Sequence, residues 1–253
     1  MPVLSEEFVD ISIKCCYYGI NPLTSVRGPR RFVALPVAGP HCTGRLGELW
    51  GFGMECLLFL FRHGETDWNR QGRLQGHTDT PLNAAGLVQA EALTERLRPH
   101  RLDAVVSSDL ARAWTTGRIV AEGLGVPLIG EPGLREANIG EAEGLYWPEV
   151  KSRFGETLTE RWFTDDDAAF PGGETGLETR SRGLAALRRF VAEQPYRRIG
   201  VSTHGAMVRQ LMRHALPPGS PPVRASNTVL FVLKYQPAAD RLIVVEREEL
   251  ELG

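Results

Sequence analysis

The sequence predicts an α/β fold, a three-layer α/β/α sandwich in which a mostly parallel central sheet lies between two layers of helices. Apolar runs alternate with helical patterns from residue 56 onward, which is the order expected of strand, helix and strand units. The run "CLLFLF" is continuously apolar, as expected of a strand covered on both faces. Hydrophobic residues make up 42% of the 253-residue chain, which is enough to fill such a core.

The predicted elements follow from apolar periodicity and from the Gly and Pro residues between them. The predicted strands are 56–61, 102–107, 126–130, 198–203, 227–235 and 241–248. The predicted helices are 84–98, 109–123, 174–193 and 205–216. In the first helix the buried face is predicted at Leu87, Ala90, Leu93 and Leu97. The middle of the domain, 137–173, is expected to be irregular.

Residues 1–53 differ from the rest of the chain. Gly and Pro interrupt them every few residues, and they show no sustained period of either strand or helix. We expect a poorly structured N-terminal extension followed by one domain over 54–253. Met54 stands directly before "ECLLFLFRHGE", so translation starting at Met54 is a second hypothesis for this segment.

Composition excludes several classes of protein. A net charge of -2 and a pI near 6.3 argue against nucleic-acid binding. No apolar stretch approaches the roughly 20 residues of a membrane span. The four cysteines, Cys15, Cys16, Cys42 and Cys56, have no C-x-x-C spacing, which predicts no zinc site and favours a reducing, cytoplasmic compartment. We expect neither a metal nor a cofactor.

Basic side chains follow three of the predicted buried strands. Arg62 and His63 come directly after the first, Arg112 follows the second at the start of a helix, and His204 follows the strand at 198–203. Ligands of parallel α/β sheets bind at the carboxyl ends of the strands, beside helix N-termini that favour anions. Two arginines and two histidines at one edge indicate a phosphate site.

Each of these residues also has an ordinary structural interpretation. A lone histidine at a strand end is commonly a hydrogen-bonded structural residue, and Arg112 could form a surface pair with Asp109, three residues earlier. Their joint placement makes independent coincidence a poor explanation. The remaining histidines, which we assign to the surface or to packing, are His41, His77, His100 and His214.

Five separated motifs occur in the order typical of one known family. They are "FRHGETDWNRQGRLQGHTDTPLNAAGLVQAEAL", "SSDLARAWTTG", "LREANIGEAEG", "PGGET" and "STHGAMVRQLM". Over about residues 55–235 the chain resembles the histidine phosphatase superfamily, with its phosphoglycerate-mutase-like fold. The pattern is most similar to the small broad-specificity phosphatases. The resemblance implies hydrolysis of a small phosphomonoester.

Phosphoryl transfer needs a nucleophile, cations for the phosphoryl oxygens and an acid for the leaving group. His63 can serve as the nucleophile and form a phosphohistidine, provided that it is neutral and its other ring nitrogen donates to an acceptor, such as a backbone carbonyl. The resemblance implies that Arg62, Arg112 and His204 bind the phosphoryl oxygens. Further substrate contacts that it implies are Thr66, Asn69, Gln75 and Gly205.

The proton donor is harder to choose, because the chain has many carboxylates. Glu136, in "LREANIG", occupies the position that resembles the family's proton donor, and we expect it to be protonated chiefly in the substrate complex. Glu65, two residues after His63, ranks second.

The segment 141–173 is the expected lid over the site. Trp147 and Trp162 lie in this segment and, with Trp68, could line a pocket or simply cover the core. The segment also contains Asp165, Asp166 and Asp167, which would disfavour a second anionic group on the substrate if they faced the site. Only 23 residues separate Arg112 from Glu136, which by resemblance favours a hydrolase over a cofactor-dependent mutase. A non-catalytic phosphate-binding module and a homodimer both stay open.

Overall fold

The computed structural model describes residues 55–248. The predicted extension at 1–53, the alternative start at Met54 and the histidine at position 41 lie outside the described residues.

A six-stranded sheet forms the centre of the domain. Its strands are β1 (Cys56–Arg62), β2 (Ala104–Ser107), β3 (Leu128–Gly130), β4 (Arg198–Thr203), β5 (Leu230–Gln236) and β6 (Arg241–Glu248). Their order is β3-β2-β4-β1-β5-β6. The β3–β2, β2–β4 and β4–β1 pairs are parallel, and the β1–β5 and β5–β6 pairs are antiparallel, so only β5 runs in the opposite direction. The mostly parallel sheet is therefore confirmed.

Seven α-helices connect and cover the strands within the described part of the chain. They are α1 (Asp67–Gln71), α2 (Ala84–Leu97), α3 (Ala111–Leu124), α4 (Trp147–Phe154), α5 (Glu156–Thr164), α6 (Gly176–Glu193) and α7 (Gly205–Ala215).

The side chains of β1 divide the core into two layers. Leu58 and Leu60 pack with residues of α6 and α7, whereas Phe59 and Phe61 pack with residues of α2 and α3. All four side chains are almost completely buried. Because successive side chains of a strand point to opposite faces, a continuously apolar strand needs cover on both sides. The three-layer α/β/α sandwich follows.

Strand register places the site at one edge of this sheet. In the parallel pairs, Arg62 lies beside Thr203 and Ser107 lies beside Ser202. The three neighbouring strands β2, β4 and β1 therefore end at nearly the same level, and the residues that follow them meet there.

Two sequence expectations about local structure were wrong. The middle of the domain is not irregular throughout, since it contains α4 and α5 on either side of Gly155, whose φ of 83° breaks the path of the chain. Leu87 is 41% exposed and does not belong to the buried face of α2, which comprises Gly86, Ala90, Leu93, Thr94 and Leu97. Among residues 55–248, no helix is long and apolar enough to cross a membrane.

Candidate active site

His63 lies at the end of β1 with 1% of its surface exposed. Its main-chain N–H donates to the carbonyl oxygen of Thr203 at 3.0 Å, which fixes it against the end of β4. Its Nδ1 lies 2.7 Å from the carbonyl oxygen of Gly64. A carbonyl can only accept, so Nδ1 carries the hydrogen and Nε2 presents a lone pair.

The loop after His63 touches the first turn of α2. A Cβ on Gly64 would lie 2.4 Å from the carbonyl oxygen of Gly86, and one on Gly86 would lie 2.1 Å from that of Glu65. Only glycine at both positions allows this approach of the two backbones. The pair of glycines therefore sets where α2 begins relative to His63.

Two arginines bring positive charge to the site. The fully buried Arg112 donates from Nη1 to the carbonyl of Thr78 at 2.9 Å and from Nη2 to that of Gly76 at 2.7 Å. Arg62 donates from Nη1 to the carbonyl of Ala225 at 2.6 Å. The Nε of each arginine is buried and has no hydrogen-bond partner within the described residues.

The surface pairing considered for Arg112 is wrong. Asp109 precedes α3 and forms its hydrogen bonds with Arg135, at 2.6 and 2.5 Å. Within residues 55–248, Arg112 is held by backbone carbonyls and pairs directly with no carboxylate.

His204 is the N-cap of α7, and its ring lies 5.2 Å from the ring of His63. Its Nε2 lies 2.8 Å from the hydroxyl of Ser108, which also accepts from the N–H of Leu110. Its Nδ1 is buried without a partner in the described part of the chain. Together with the Nε of Arg62 and of Arg112, this nitrogen is an unpaired polar atom at the strand ends.

The environment keeps both histidines neutral. Burial, aided by the positive charges of Arg62 and Arg112, holds the pKa of His63 well below its usual range. Burial and Arg112 do the same to the pKa of His204. Burial also lowers the pKa of Arg62, to about 10, so this guanidinium stays charged at neutral pH.

Glu136 reaches the site from the loop after β3. Its Oε1 accepts hydrogen bonds from the main-chain N–H groups of Ala206 at 2.9 Å, Met207 at 3.2 Å and Ala137 at 3.0 Å. The carboxylate thus caps α7, where the helix dipole favours negative charge. The anion that this helix N-terminus holds is therefore a carboxylate of the chain itself, which occupies the N–H groups of Ala206 and Met207.

A cavity of about 130 Å³ opens beside these groups, but the buried His63, Arg112 and His204 are not among the residues that line it. Arg62 and Glu136 line it, as do three of the four predicted substrate-binding residues, Asn69, Gln75 and Gly205. Thr66 lies behind them. It is completely buried as the N-cap of α1, where its hydroxyl accepts from the N–H of Asn69 and lies 3.0 Å from Oε1 of Gln75.

The competing carboxylate, Glu65, does not line this cavity. Its Oε1 accepts a hydrogen bond from Nδ2 of Asn83, the N-cap of α2. The aromatic side chains of the middle segment do reach the cavity: Trp147 of α4 and Trp162 of α5 line it. The segment 141–173 thus contributes part of the cavity wall.

Three further residues of this region do not follow from their position at a strand end. Arg209, on α7, lines the cavity. It comes four residues after Gly205, a spacing that places both positions on the same face of the helix. Ser108, the first residue after β2, lies in hydrogen-bond contact with His204 and could have been found as the second serine of "SSD". Glu143 accepts from the N–H groups of His77 at 2.7 Å and Thr78 at 3.1 Å, and so holds the loop whose carbonyls bind Arg112.

Comparison with known proteins agrees with this arrangement. Residues 58–246 match the family described as the histidine phosphatase superfamily (branch 1). The chain is 38% identical to a metal-independent phosphoserine phosphatase of Arabidopsis thaliana over 61% of this chain and 66% of that protein. It is 32% identical to an uncharacterized phosphatase of Bacillus subtilis, over 67% of this chain and 82% of the relative.

Solved structures are similar over most of the described residues. A mycobacterial glucosyl-3-phosphoglycerate phosphatase, solved as a complex with VO3, is 26% identical and superposes with a TM-score of 0.70 over 77% of this chain and 100% of that one. The alpha-ribazole phosphatase of Shigella flexneri is 26% identical, with a TM-score of 0.63 over 76% and 96% of the two chains. The chain belongs to the histidine phosphatase superfamily, as a phosphatase of branch 1.

Proposed function

We propose that the protein hydrolyses small phosphomonoesters through a phosphohistidine formed on His63. One observation carries the proposal: a neutral histidine with an unprotonated Nε2 lies near three buried nitrogens that have no hydrogen-bond partner among residues 55–248, namely Nε of Arg62, Nε of Arg112 and Nδ1 of His204. Buried polar groups are nearly always hydrogen-bonded, so three orphans at one place indicate an absent ligand. Positively charged hydrogen-bond donors in a site with little water are suited to bind the negatively charged oxygens of a phosphoryl group.

In the first step, Nε2 of His63 attacks phosphorus while the bond from phosphorus to the ester oxygen breaks. The arginine donors and Nδ1–H of His204 bind the three non-bridging oxygens. Ser108 assists if its hydroxyl donates to Nε2 of His204, since that leaves the hydrogen on Nδ1. The fixed positions of these donors lower the barrier because little reorganisation accompanies the reaction.

Glu136 serves as the acid and then as the base. Its contacts with three backbone N–H groups fit an ionised carboxylate, and the negative charge of an arriving phosphate favours its protonation in the complex. It gives this proton to the leaving alcohol. In the second step it takes a proton from water, the water oxygen bonds to phosphorus, and the phosphorus–nitrogen bond to His63 breaks, releasing inorganic phosphate.

A hydrolase fits better than a mutase. Between Arg112 and Glu136 the chain forms only α3, β3 and a short 3-10 turn, so this stretch adds no subdomain that could close over the phosphoenzyme and exclude water. Relatives with mutase names exist among the similar proteins, including a 2,3-bisphosphoglycerate-dependent mutase of Methylobacterium that is 32% identical. Transfer of labelled phosphate to glycerate, in place of release, would favour the mutase.

The test is hydrolysis of p-nitrophenyl phosphate and of a panel of alkyl phosphates, with His63→Ala as the blank. The proposal expects release of phosphate by the native chain and none above background by the variant. A panel without turnover would favour the phosphate-binding module instead. The same assay in EDTA tests the absence of a metal, because a metal-independent enzyme keeps its rate.

Three further expectations belong to this proposal. The cysteine pattern favours a cytoplasmic location, which fractionation of cells would test. The balanced charge argues against nucleic-acid binding. A homodimer stays a prediction, to be checked by the mass of the protein in solution.

A further inference from the structure

The main-chain carbonyl of Glu136 accepts hydrogen bonds from two side chains. Nε2 of His77 lies 2.7 Å from this oxygen, and Nη2 of Arg182 lies 3.1 Å from it. A carbonyl oxygen only accepts, so Nε2 of His77 carries the hydrogen. The carboxylate of Glu136 accepts from N–H groups at the start of α7. Both ends of this residue are therefore fixed, and His77, which the sequence assigns to the surface or to packing, is one of the residues that fix it.

His77 lies between the two carbonyls that hold Arg112. The guanidinium binds the carbonyl of Gly76 at 2.7 Å and that of Thr78 at 2.9 Å. The imidazole of the residue between them binds Glu136. One loop of three residues thus contacts both a guanidinium of the phosphate site and the main chain of the proposed acid. The separation of these two groups therefore depends on this loop.

Glu143 holds the loop in place. Its Oε1 accepts from the N–H of His77 at 2.7 Å, and its Oε2 accepts from the N–H of Thr78 at 3.1 Å and from the hydroxyl of Thr78 at 2.8 Å. The imidazole of His77 therefore extends from a main chain that is itself anchored. Anchoring of this kind gives its contact with Glu136 a defined position.

Arg182 supports the segment that carries the acid independently, from α6. Its Nη1 donates to the carbonyls of Gly133 at 3.0 Å and of Arg135 at 3.1 Å, and its Nη2 pairs with Glu174 at 2.8 Å. None of these bonds involves His77. Replacement of His77 should therefore leave the segment folded and remove only its connection to the loop of the phosphate site.

We propose that His77 is a positioning residue, which holds Glu136 within reach of the ester oxygen that it protonates. This inference rests on the proposed function, in which Glu136 is the acid. A general acid must come within about 2.6–3.2 Å of the atom that receives its proton, and a displacement of about 1 Å can cost about 10²-fold in rate. His77 is not among the residues that line the cavity, so it acts through Glu136 and not on the substrate. Its loss should therefore slow chiefly the esters that need the acid.

The test compares kcat/KM for p-nitrophenyl phosphate and p-nitrobenzyl phosphate. The two esters are similar in shape, but nitrophenolate leaves without a proton whereas the benzyl alcohol needs one. This constant covers only the steps up to release of the alcohol, so breakdown of the phosphoenzyme does not enter the comparison. His77→Leu should lower the value for the benzyl ester by about 10-fold and that for the phenyl ester by less than about 2-fold, because only the benzyl ester uses the general acid.

Two further variants identify the hydrogen bond as the cause. In His77→Gln the side-chain amide places an N–H near the position of Nε2, so the benzyl ester should recover most of its lost rate. When it is added to Glu136→Gln, His77→Leu should change the ratio of the two rates no further, because residues that act through one group are not additive.

His214→Leu is the matched control. His214 lies at an exposed position near the end of α7, and its replacement should leave the ratio of the two rates unchanged. Because the readout is a ratio, a general loss of folding lowers both rates together and does not imitate the effect.

The outcomes separate the role of His77 from the proposed function. Equal slowing of both esters by His77→Leu, or a glutamine variant as selective as the leucine variant, would overturn the positioning role and leave the hydrolase standing. Equal slowing by Glu136→Gln would overturn the acid role of Glu136 and with it the role of His77, while hydrolysis that depends on His63 would still support the phosphohistidine. No hydrolysis of either ester by the native chain would overturn both.

Discussion

The two buried histidines should make the stability of the protein depend strongly on pH between 7.5 and 5.5. The fold lowers the pKa of both His63 and His204 well below 6.5, so below that pH the unfolded chain binds two protons that the folded chain excludes. Stability rises with pH wherever the unfolded state binds more protons, so here it is present above pH 6.5 and lost as the pH falls. Each histidine then lowers the free energy of unfolding by about 1.4 kcal/mol at pH 5.5, and by almost nothing at pH 7.5.

The native chain should therefore lose about 2.8 kcal/mol of unfolding free energy between these two pH values, and His204→Asn only about half of that. Urea unfolding followed by fluorescence measures both, in buffers without phosphate because a bound anion would add its own stabilisation. His214→Asn, at an exposed position on the same helix, is the comparison. Burial lowers the pKa of His214 as well, so this variant should remove part of the fall in stability, but a smaller part than His204→Asn removes. A flat native profile, or a variant at position 204 that falls as steeply as the native chain, would refute the buried neutral pair.

Three further substitutions test the site. Glu136→Gln should slow alkyl phosphates by about 10²-fold or more but aryl phosphates much less, because a good leaving group needs no acid; equal slowing of both would remove Glu136 from that role. Arg112→Lys should lower kcat/KM by about 100-fold, since an ammonium lacks the planar fork that binds the carbonyls of Gly76 and Thr78 with Nη1 and Nη2 while Nε stays free for a ligand. A native rate would show that the fork is dispensable. Gly64→Ala should cost about 1–3 kcal/mol of stability because its Cβ would lie 2.4 Å from a carbonyl oxygen of α2, and an unchanged urea midpoint would contradict that contact.

The sheet and the strand-end residues could be predicted because both depend on short-range patterns. A continuous apolar strand such as 56–61 has to be covered on both faces, and a parallel strand has to present its next residues at the carboxyl edge. The strand predicted at 198–203 has those bounds in the structure. For this reason His63, Arg112 and His204 lie together at the carboxyl edge of the sheet.

The middle segment could not be predicted in the same way. The apolar positions Trp147, Val150 and Phe154 do recur at helical spacing. The two helices are short, however, and are interrupted by Gly155 and followed by a run of aspartates, so the apolar pattern is too brief to predict a helix. Arg209 was missed because its position depends on the rotation of α7 and on the aromatic rings that the middle segment supplies. Such contacts arise only from tertiary packing.

The central claim is that His63 carries the phosphoryl group during turnover. It is tested most directly by mixing the native chain with a monoester labelled in its phosphate, quenching within milliseconds, and mapping the label on peptides. The label should be labile in acid, stable in alkali, and located on His63. Turnover with the label on another residue, or with none at any quench time, would contradict it.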